Sequence, residues 1–263
     1  MFTGALAMFD ALGFKGIWKR EGVDPDGVID KLRRLQKDVN EKLQADFAGD
    51  LQGTLNSNEK ILESVAFSFL SDTIVLGIST KPGFGEDIGP SYKHDYYLEE
   101  GPTIALLTAT SFVANTLRQA TATAPHLAYR GCIAYGQFAL DDRFIVGPAV
   151  DEAAENMDRA QGAFVWLTPS ASDVLSRGRV PAGLQGTALV PYSVPMKGGD
   201  TFATSVVSPL HLAGSREKAI DLTGRILGTF SGGLDVAIKR QNTERFLRAA
   251  TERNWPTDEA AQS

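Results

Sequence analysis

The sequence is poor in the residues that form disulfide frameworks and transition-metal sites. Among its 263 residues are one cysteine, Cys132, and three scattered histidines, His94, His126 and His211. A single cysteine excludes an intrachain disulfide framework and a cysteine-rich zinc site, and histidines so far apart in sequence do not suggest a metal cluster. The composition, 43% hydrophobic and 22% charged, is instead typical of a globular protein with an apolar core.

An excess of positive charge and a long hydrophobic run are also missing. The 26 Lys and Arg residues against 32 Asp and Glu residues give a formal net charge of −6, so we expect neither nucleic acid nor a membrane as a partner. The best candidate for a membrane span, residues 101–117, contains polar residues and is shorter than the ~20 apolar residues that a span requires. Residues 1–10 lack the basic start of a secretory signal. These features predict a soluble, cytoplasmic protein.

The hydrophobic pattern of the first half alternates between strands and helices. A continuous apolar run at 3–10 predicts a strand that is buried on both faces. Apolar residues three or four positions apart predict a helix over 24–46, with Asp24 as its cap. Two β-rich runs within 64–79 are separated by two polar residues, which predicts a hairpin with Asp72 at its tip. A surface loop at 81–97, a helix at about 98–122 and a strand at 127–136 follow.

The second half continues the alternation with shorter elements. We predict strands at 143–146, 163–168 and 201–207, helices at about 149–161, from 168 onward and over 214–253, and little regular structure between 182 and 200. The order β-α-β-β-α-β of the first six elements is that of a ferredoxin-like α/β (α+β) fold. We expect one domain over residues 1–210, a helical C-terminal extension of it over 211–253, and a flexible tail at 254–263.

Two carboxylates, Asp10 and Asp72, end apolar strand segments. In a β-α-β-β order these strand ends can be neighbours, and two carboxylates with nearby backbone oxygens can hold one or two Mg²⁺ ions. Such a pair suits in-line displacement at phosphorus. The backbone amides that would cradle a triphosphate beside them are those of Ala11, Leu12, Gly13 and Phe14. An aspartate at a strand end is also a common turn or cap residue, and that alternative stays open here.

Four segments resemble, in the same order, the signature motifs of class III nucleotidyl cyclases. Phe9–Phe14 resembles F-x-D-[ILM]-x-G-F, shortened by one residue before the aspartate, and Phe69–Thr73 resembles the second metal-binding aspartate motif. Tyr129–Gly136 is similar to the family strand R-x-G-I-x-x-G. Val146–Ala154 is similar to the helix entry G-x-x-V-N-x-A-[AS]-R. The ordered set spans about residues 3–175.

The resemblance implies a class III cyclase domain, which converts a nucleoside triphosphate into a 3′,5′-cyclic monophosphate and pyrophosphate. It makes Asp10 and Asp72 the ligands of two Mg²⁺ or Mn²⁺ ions, with the backbone carbonyl of Ala11 as a further ligand. It also implies a head-to-tail homodimer with its catalytic sites at the interface. Lys197 falls where family members often keep a phosphate-binding lysine, with a solvated loop lysine as the alternative.

Two positions on the predicted helix at 149–161 depart from the family pattern. Asp151 stands where family members have the asparagine that orients the ribose, and Glu155 stands where they have the transition-state arginine. A carboxylate cannot stabilise developing negative charge as a guanidinium does. In an active enzyme the cation would therefore come from the partner chain or from Arg130, Arg143 or Arg159.

The two base-reading positions are uncharged as well. Ser68 stands where the family has its adenine-reading lysine, and Phe144 lies near the position of the acidic partner. The usual purine pocket is therefore absent. This combination resembles the bacterial pyrimidine cyclases of the anti-phage Pycsar system, whose product, cyclic UMP or cyclic CMP, activates a separate effector. The resemblance implies a uridylate or cytidylate cyclase, and we expect UTP to be favoured over CTP.

Two other functions fit parts of the same pattern. A non-catalytic nucleotide-binding or dimerisation module that kept the cyclase fold would explain Asp151 and Glu155. Such a module, however, has no need of both metal-binding carboxylates. A purine cyclase with an unusual base pocket is the second alternative, and a comparison of the four triphosphates as substrates separates it from a pyrimidine cyclase.

Overall fold

In a computed structural model, the described residues form a mixed α/β fold on an eight-stranded sheet. The structure describes residues 1–12, 24–49, 62–70, 72–80, 93–140, 144–178 and 188–256. Gly13, Phe14 and Arg143, which the sequence singled out, lie outside the described residues. The same holds for residues 81–92 of the predicted loop and 257–263 of the predicted tail.

The first six elements follow the predicted β-α-β-β-α-β order. They are β1 (Phe2–Ala11), α1 (Pro25–Gly49), β2 (Leu62–Leu70), β3 (Thr73–Thr80), α2 (Lys93–Ala122) and β4 (Tyr129–Leu140). The strands lie in the order β2-β3-β1-β4 and all neighbours are antiparallel, which confirms the ferredoxin-like arrangement. The predicted loop at 81–97 was too long, because α2 already begins at Lys93.

The later elements extend this sheet and cover it. They are β5 (Ile145–Val146), α3 (Pro148–Asn156), β6 (Val165–Leu167), α4 (Pro169–Arg177), β7 (Leu189–Pro195), β8 (Thr201–Val207), a short 3-10 helix (Pro209–Ala213), α5 (Arg216–Leu227) and α6 (Leu234–Asn254). Beyond β4 the sheet continues as β6-β8-β7, while β5 lies off this path and pairs with β4. The predicted helical segment 214–253 contains α5 and all but the last residue of α6, which ends at Asn254.

β7 is a strand that the sequence did not predict. It lies within the segment 182–200, which was expected to have little regular structure, and it contains Pro191 and Pro195. Proline cannot donate to a sheet ladder and is tolerated mainly at sheet edges. Among the described strands, β7 lies at the edge of the sheet and pairs only with β8. The prolines that concealed the strand in the sequence are therefore compatible with its position.

β1 is buried on both faces, as its continuous apolar run predicted. Ala7 and Phe9 belong to a core beneath α1, α2 and α4, whereas Leu6 and Met8 belong to a second core beneath α3, α5 and α6. Cys132 of β4 lies in the second core with a side chain that is 0% exposed. β1 is thus held between two helical layers, with a paired strand on either side.

Helices α1 and α2 are joined by a buried lysine. Helix α1 is capped by Asp24, whose carboxylate accepts hydrogen bonds from the amides of residues 26 and 27, as the sequence predicted. Lys31 is only 3% exposed. Its ammonium donates to the carbonyl of Gln119 and to the carbonyl and hydroxyl of Thr123. Lys31 therefore satisfies carbonyls at the C-terminal end of α2, which every helix leaves without intrahelical partners.

Helix α6 packs onto the sheet through one aromatic side chain and two polar ones. Phe246 is 1% exposed and contacts the rings of Phe164 and Tyr192 at centroid distances of 5.6 and 5.2 Å. Thr243 accepts a hydrogen bond from the amide of Ala163, and Asn242 donates to the carbonyl of Gln161, both at 2.8 Å. Within the described ranges, none of the helices is both long and apolar enough to span a bilayer.

Candidate active site

Asp10 lies near the C-terminal end of β1, between β3 and β4. The antiparallel register places it opposite Thr73 of β3 and opposite Arg130 of β4. Asp72 directly precedes β3, and its carbonyl accepts a hydrogen bond from the amide of Ala11 at 3.2 Å. The two aspartates singled out by the sequence therefore lie at neighbouring strand ends.

The carboxylate of Asp10 is partly buried and only partly satisfied. Its side chain is 23% exposed, and Oδ2 lies 3.5 Å from Nη2 of Arg130. Oδ1 is buried and has no hydrogen-bond partner among the described residues. Burial raises the pKa of Asp10, the negative charge of Asp72 adds to the rise, and Arg130 opposes it. A buried carboxylate oxygen without a donor, next to a second acidic residue, is an environment that a cation would stabilise.

Arg130 connects this carboxylate to the turn that follows α3. Its side chain is 12% exposed, and Nη1 donates to the backbone carbonyl of Asp158 at 3.1 Å. Nη2 faces Asp10, whereas the buried Nε has no hydrogen-bond partner in the described part of the chain. Arg159 and Arg143 were the other arginines considered for the missing cation. Arg159 is exposed on the 157–160 turn, so Arg130 is the candidate that the described structure brings against Asp10.

A second ion pair lies on the same turn. The carboxylate of Asp158 accepts a hydrogen bond from the ammonium of Lys197, at the connection between β7 and β8. The hydrogen bond from Lys197 lowers the pKa of Asp158, and the charges of Arg130 and Arg159 lower it further. The amide of Lys197 donates to the carbonyl of Arg159 at 2.8 Å. Three cationic side chains therefore act on Asp158, and one of them, Arg130, also contacts Asp10.

The predicted nucleotide-binding backbone is already hydrogen-bonded where the structure describes it. The amide of Ala11 donates to Asp72, and the amide of Leu12 donates to the carbonyl of Ala128 at 2.7 Å. A phosphate bound by these two amides would have to replace carbonyl partners. Ser68 lies on β2, half buried and paired with Val75, four residues before Asp72 along the chain.

The two acidic residues that depart from the family pattern both lie on α3. Asp151 is in its first turn, and Asp151 and Glu155 are exposed. Glu152, between them, instead accepts a hydrogen bond from the amide of Ser170 at 3.2 Å. Neither exposed carboxylate can replace the charge of a guanidinium, so α3 offers no cation at these two positions.

Sequence reasoning missed two residues near Asp10. Asp158 escaped notice because its partners Arg130 and Lys197 are 28 and 39 positions away in sequence, and no periodic pattern links them. Tyr129, 2% exposed, has a hydroxyl without a hydrogen-bond partner in the described structure. Its pKa is raised by burial and further by Asp72 and Asp10. The only sequence signal for Tyr129 was its place in the motif Tyr129–Gly136.

The comparisons with known proteins find distant likenesses among solved structures. No protein-family model matches the chain, and no curated protein sequence matches it. Among solved structures, it is similar to the catalytic core of a rhodopsin-guanylyl cyclase with converted specificity, in complex with ATPalphaS. The match has a TM-score of 0.45 and 13% identity, and it covers 79% of this chain and 96% of that chain. At this level of similarity, function has to be argued from the site itself.

Proposed function

We propose that this protein is a metal-dependent nucleotidyl cyclase whose substrate is a pyrimidine nucleoside triphosphate. The observation that carries the proposal is the meeting of Asp10 and Asp72 at neighbouring strand ends, with Arg130 against Asp10. Two carboxylates that can hold metal ions, together with a cation that can stabilise developing negative charge, suit cyclisation at a phosphorus atom. The product would be a 3′,5′-cyclic monophosphate, released together with pyrophosphate.

The acidic residues of the site suit Mg²⁺ or Mn²⁺. Asp10 offers a buried oxygen that has no donor among the described residues, and Asp72 and the backbone carbonyl of Ala11 would complete the protein ligands. Within the described ranges, no three Asp, Glu, His or Cys side chains form a preformed cluster, so substrate phosphates and water would fill the remaining positions. Bound there, two such ions would lower the pKa of the attacking 3′-hydroxyl and withdraw charge from the phosphate oxygens.

The residues around Asp10 would bind the triphosphate and compensate its charge. Arg130 supplies a partly buried guanidinium, and a positive charge in such surroundings acts more strongly than one in water. Lys197, on the connection between β7 and β8, is the candidate for a phosphate contact, and so are the amides of Gly13 and Phe14, whereas the amide of Leu12 would first have to leave the carbonyl of Ala128. We assign to Arg130 the charge that Glu155 cannot provide.

The base preference follows from what the base-reading positions lack. Ser68 is half buried and uncharged, and Phe144 is 68% exposed. Neither carries the charge that a lysine and acid pair would offer to adenine. We propose a pyrimidine triphosphate on this basis, with UTP favoured over CTP. The product would act as a second messenger in anti-phage defence, made in the cytoplasm and read by a separate effector.

The arrangement of the chain belongs to the same proposal. Residues 1–210 would form the catalytic domain, residues 211–253 a helical extension of it, and 254–263 a tail. Two chains would pair head to tail and share their sites. The alternative is a nucleotide-binding module without turnover, which the exposed Asp151 and Glu155 favour.

The test is a comparison of the four triphosphates. The purified full-length chain is incubated with Mn²⁺ and, separately, ATP, GTP, CTP or UTP, and the products are resolved by chromatography with mass detection. We expect a cyclic pyrimidine monophosphate from UTP. Asp72→Asn should abolish product while leaving a folded dimer, because it removes a metal-binding charge and keeps the side-chain shape.

The outcomes separate the candidate functions. Near-wild-type activity in Asp72→Asn would contradict the metal assignment. A cyclic purine product would transfer the proposal to a purine cyclase. Binding of triphosphates without turnover, with Mn²⁺ and in a parallel series with Mg²⁺, would favour the non-catalytic module. Circular dichroism and gel filtration check whether each variant is folded and has the oligomeric state of wild type.

A further inference from the structure

The two terminal nitrogens of the Arg130 guanidinium face two different acceptors. Nη1 donates to the backbone carbonyl of Asp158 at 3.1 Å, and Nη2 lies 3.5 Å from Oδ2 of Asp10. The contact with Asp158 is the shorter one and involves backbone, which cannot move without the turn. The contact with Asp10 is longer than a well-formed N–H···O hydrogen bond. Arg130 is therefore anchored at the turn and only loosely bound to the carboxylate.

The carboxylate of Asp10 depends on a positive charge because it is three-quarters buried. In the described structure Arg130 supplies that charge, while Oδ1 has no donor. A divalent cation on the same carboxylate would supply twice the charge and would repel the guanidinium beside it. Arg130 and a bound metal ion therefore compete for Asp10.

A guanidinium released from Asp10 would remain at the site. Its anchor on the carbonyl of Asp158 does not involve Asp10, and the carboxylate of Asp158 is already paired with Lys197. The released Nη2, and Nε, which has no partner in the described part of the chain, then keep hydrogen-bond donors for another anion. A phosphate group next to the metal is an anion of the appropriate geometry for an arginine fork.

We propose that Arg130 is a metal-displaced arginine: it neutralises Asp10 when no metal ion is bound, yields that carboxylate to the ion, and offers the freed donors to the substrate phosphates. This inference rests on the proposed function, since it takes Asp10 as a metal ligand. Metal binding at Asp10 would then release the Arg130 guanidinium for the substrate, so the two events are coupled through this one side chain. The energetic cost of breaking the ion pair lowers the metal affinity of the free enzyme.

The test measures Mn²⁺ binding by the full-length chain without nucleotide, using the electron paramagnetic resonance signal of free Mn²⁺. Arg130→Gln removes the competing charge, and we expect it to bind Mn²⁺ about tenfold more tightly than wild type. The matched control is Arg225→Gln. Arg225 also joins a carboxylate, Asp221 at 2.8 Å, to a backbone carbonyl, that of Ala122 at 3.0 Å, but it lies on α5. Its affinity for Mn²⁺ should equal that of wild type.

Thermal unfolding gives a second readout. Without metal, Arg130→Gln should melt below wild type, because Asp10 then lacks a counter-charge. Mn²⁺ should raise its melting temperature by more than it raises that of wild type. Should Arg130→Gln not fold, Arg130→Lys keeps one charge without the fork, and we expect it to bind Mn²⁺ a few-fold more tightly than wild type.

Two results would overturn the inference in distinguishable ways. Wild-type or weaker Mn²⁺ affinity in the Arg130 variants, together with its loss in Asp10→Asn, rejects the competition but keeps Asp10 as a metal ligand. Mn²⁺ binding that Asp10→Asn leaves unchanged rejects the metal assignment of the proposed function, and the competition with it. Neither result depends on catalytic turnover.

Discussion

Lys31 shows how a single buried charge can join two helices. Its ammonium bonds to the end of α2 from a position on α1. Burial lowers its pKa to about 8 from the usual 10.5, the charge of Arg34 adds to the fall, and Asp38 opposes it. The C-terminal end of α2 is stabilised by hydrogen bonds from a positively charged group. Removal of that charge from water destabilises the folded state and opposes this gain.

The lowered pKa of Lys31 predicts a pH-dependent stability. Between pH 8 and 10.5 the unfolded chain binds the proton more strongly than the folded one, so the free energy of unfolding should rise with pH across this window. Lys31→Met should lose this rise, and near pH 7 it should be destabilised by about 1 kcal/mol, because carbonyls of α2 lose their donor. Urea unfolding at pH 7 and pH 10 measures both effects. Lys37→Met, an exposed lysine of the same helix, should follow wild type.

At the scale of single residues, the sequence predicted the part of the site that depends on strand topology. Asp10 and Asp72 end neighbouring strands of a β-α-β-β unit, and such strand ends meet whatever the rest of the fold does. Asp158 and its bond with Arg130 depend instead on where a turn falls after α3. Contacts of this kind come from tertiary packing, which has no local sequence signal.

At the scale of elements, β4 approaches β1 closely at a glycine. A Cβ atom on Gly131 would lie 2.2 Å from the carbonyl oxygen of Met8 and 2.4 Å from Cα of Phe9. A Cβ atom on Gly136, five positions along the same strand, would meet only Ala149 at an ordinary distance of 3.6 Å. The pairing that fixes Asp10 against Arg130 thus depends on the first glycine and not on the second.

This difference predicts the effects of two alanine substitutions. Gly131→Ala should cost about 3 kcal/mol or more of unfolding free energy, because backbone must move to admit the methyl group. Gly136→Ala should change it by less than about 1 kcal/mol. Urea denaturation followed by circular dichroism compares the two. Equal stabilities of the two variants would contradict the close approach of β1 and β4.

The helices and strands were predictable where their hydrophobic pattern extends over many residues. Helix α1 has its apolar stripe and cap where expected, and β1 has its continuous apolar run. β7 was missed because its pattern is short and interrupted by prolines, which only an edge position allows. The start of α2 was misplaced because Lys93–Tyr97 is polar and aromatic without a helical period.

At the scale of the whole molecule, α5 and α6 share a core with the sheet. Leu222, Ile226 and Phe246 are buried with β1 and β4 side chains such as Leu6 and Ala134. The helical extension is therefore expected to unfold together with residues 1–210 in one transition. Circular dichroism and tryptophan fluorescence should give coincident denaturation curves.

A substitution in the core between α6 and the sheet tests whether α6 unfolds together with residues 1–210. Phe246→Ala should cost about 3–5 kcal/mol, because the ring is almost fully buried between two other aromatic rings. Ile238→Ala, on the same helix but 42% exposed, should cost less than about 0.5 kcal/mol. A Phe246→Ala curve that splits into two steps would mean that α6 unfolds by itself.

The burial of Cys132 has a practical consequence for labelling this protein. It is the only cysteine of the chain, its side chain is 0% exposed, and burial raises the pKa of its thiol. Maleimide or nitroxide reagents should therefore leave the natural sequence unmodified. Cysteines introduced at exposed positions such as Gln36 on α1 and Gln241 on α6 would carry spin labels on opposite faces of the sheet, without first removing a native thiol.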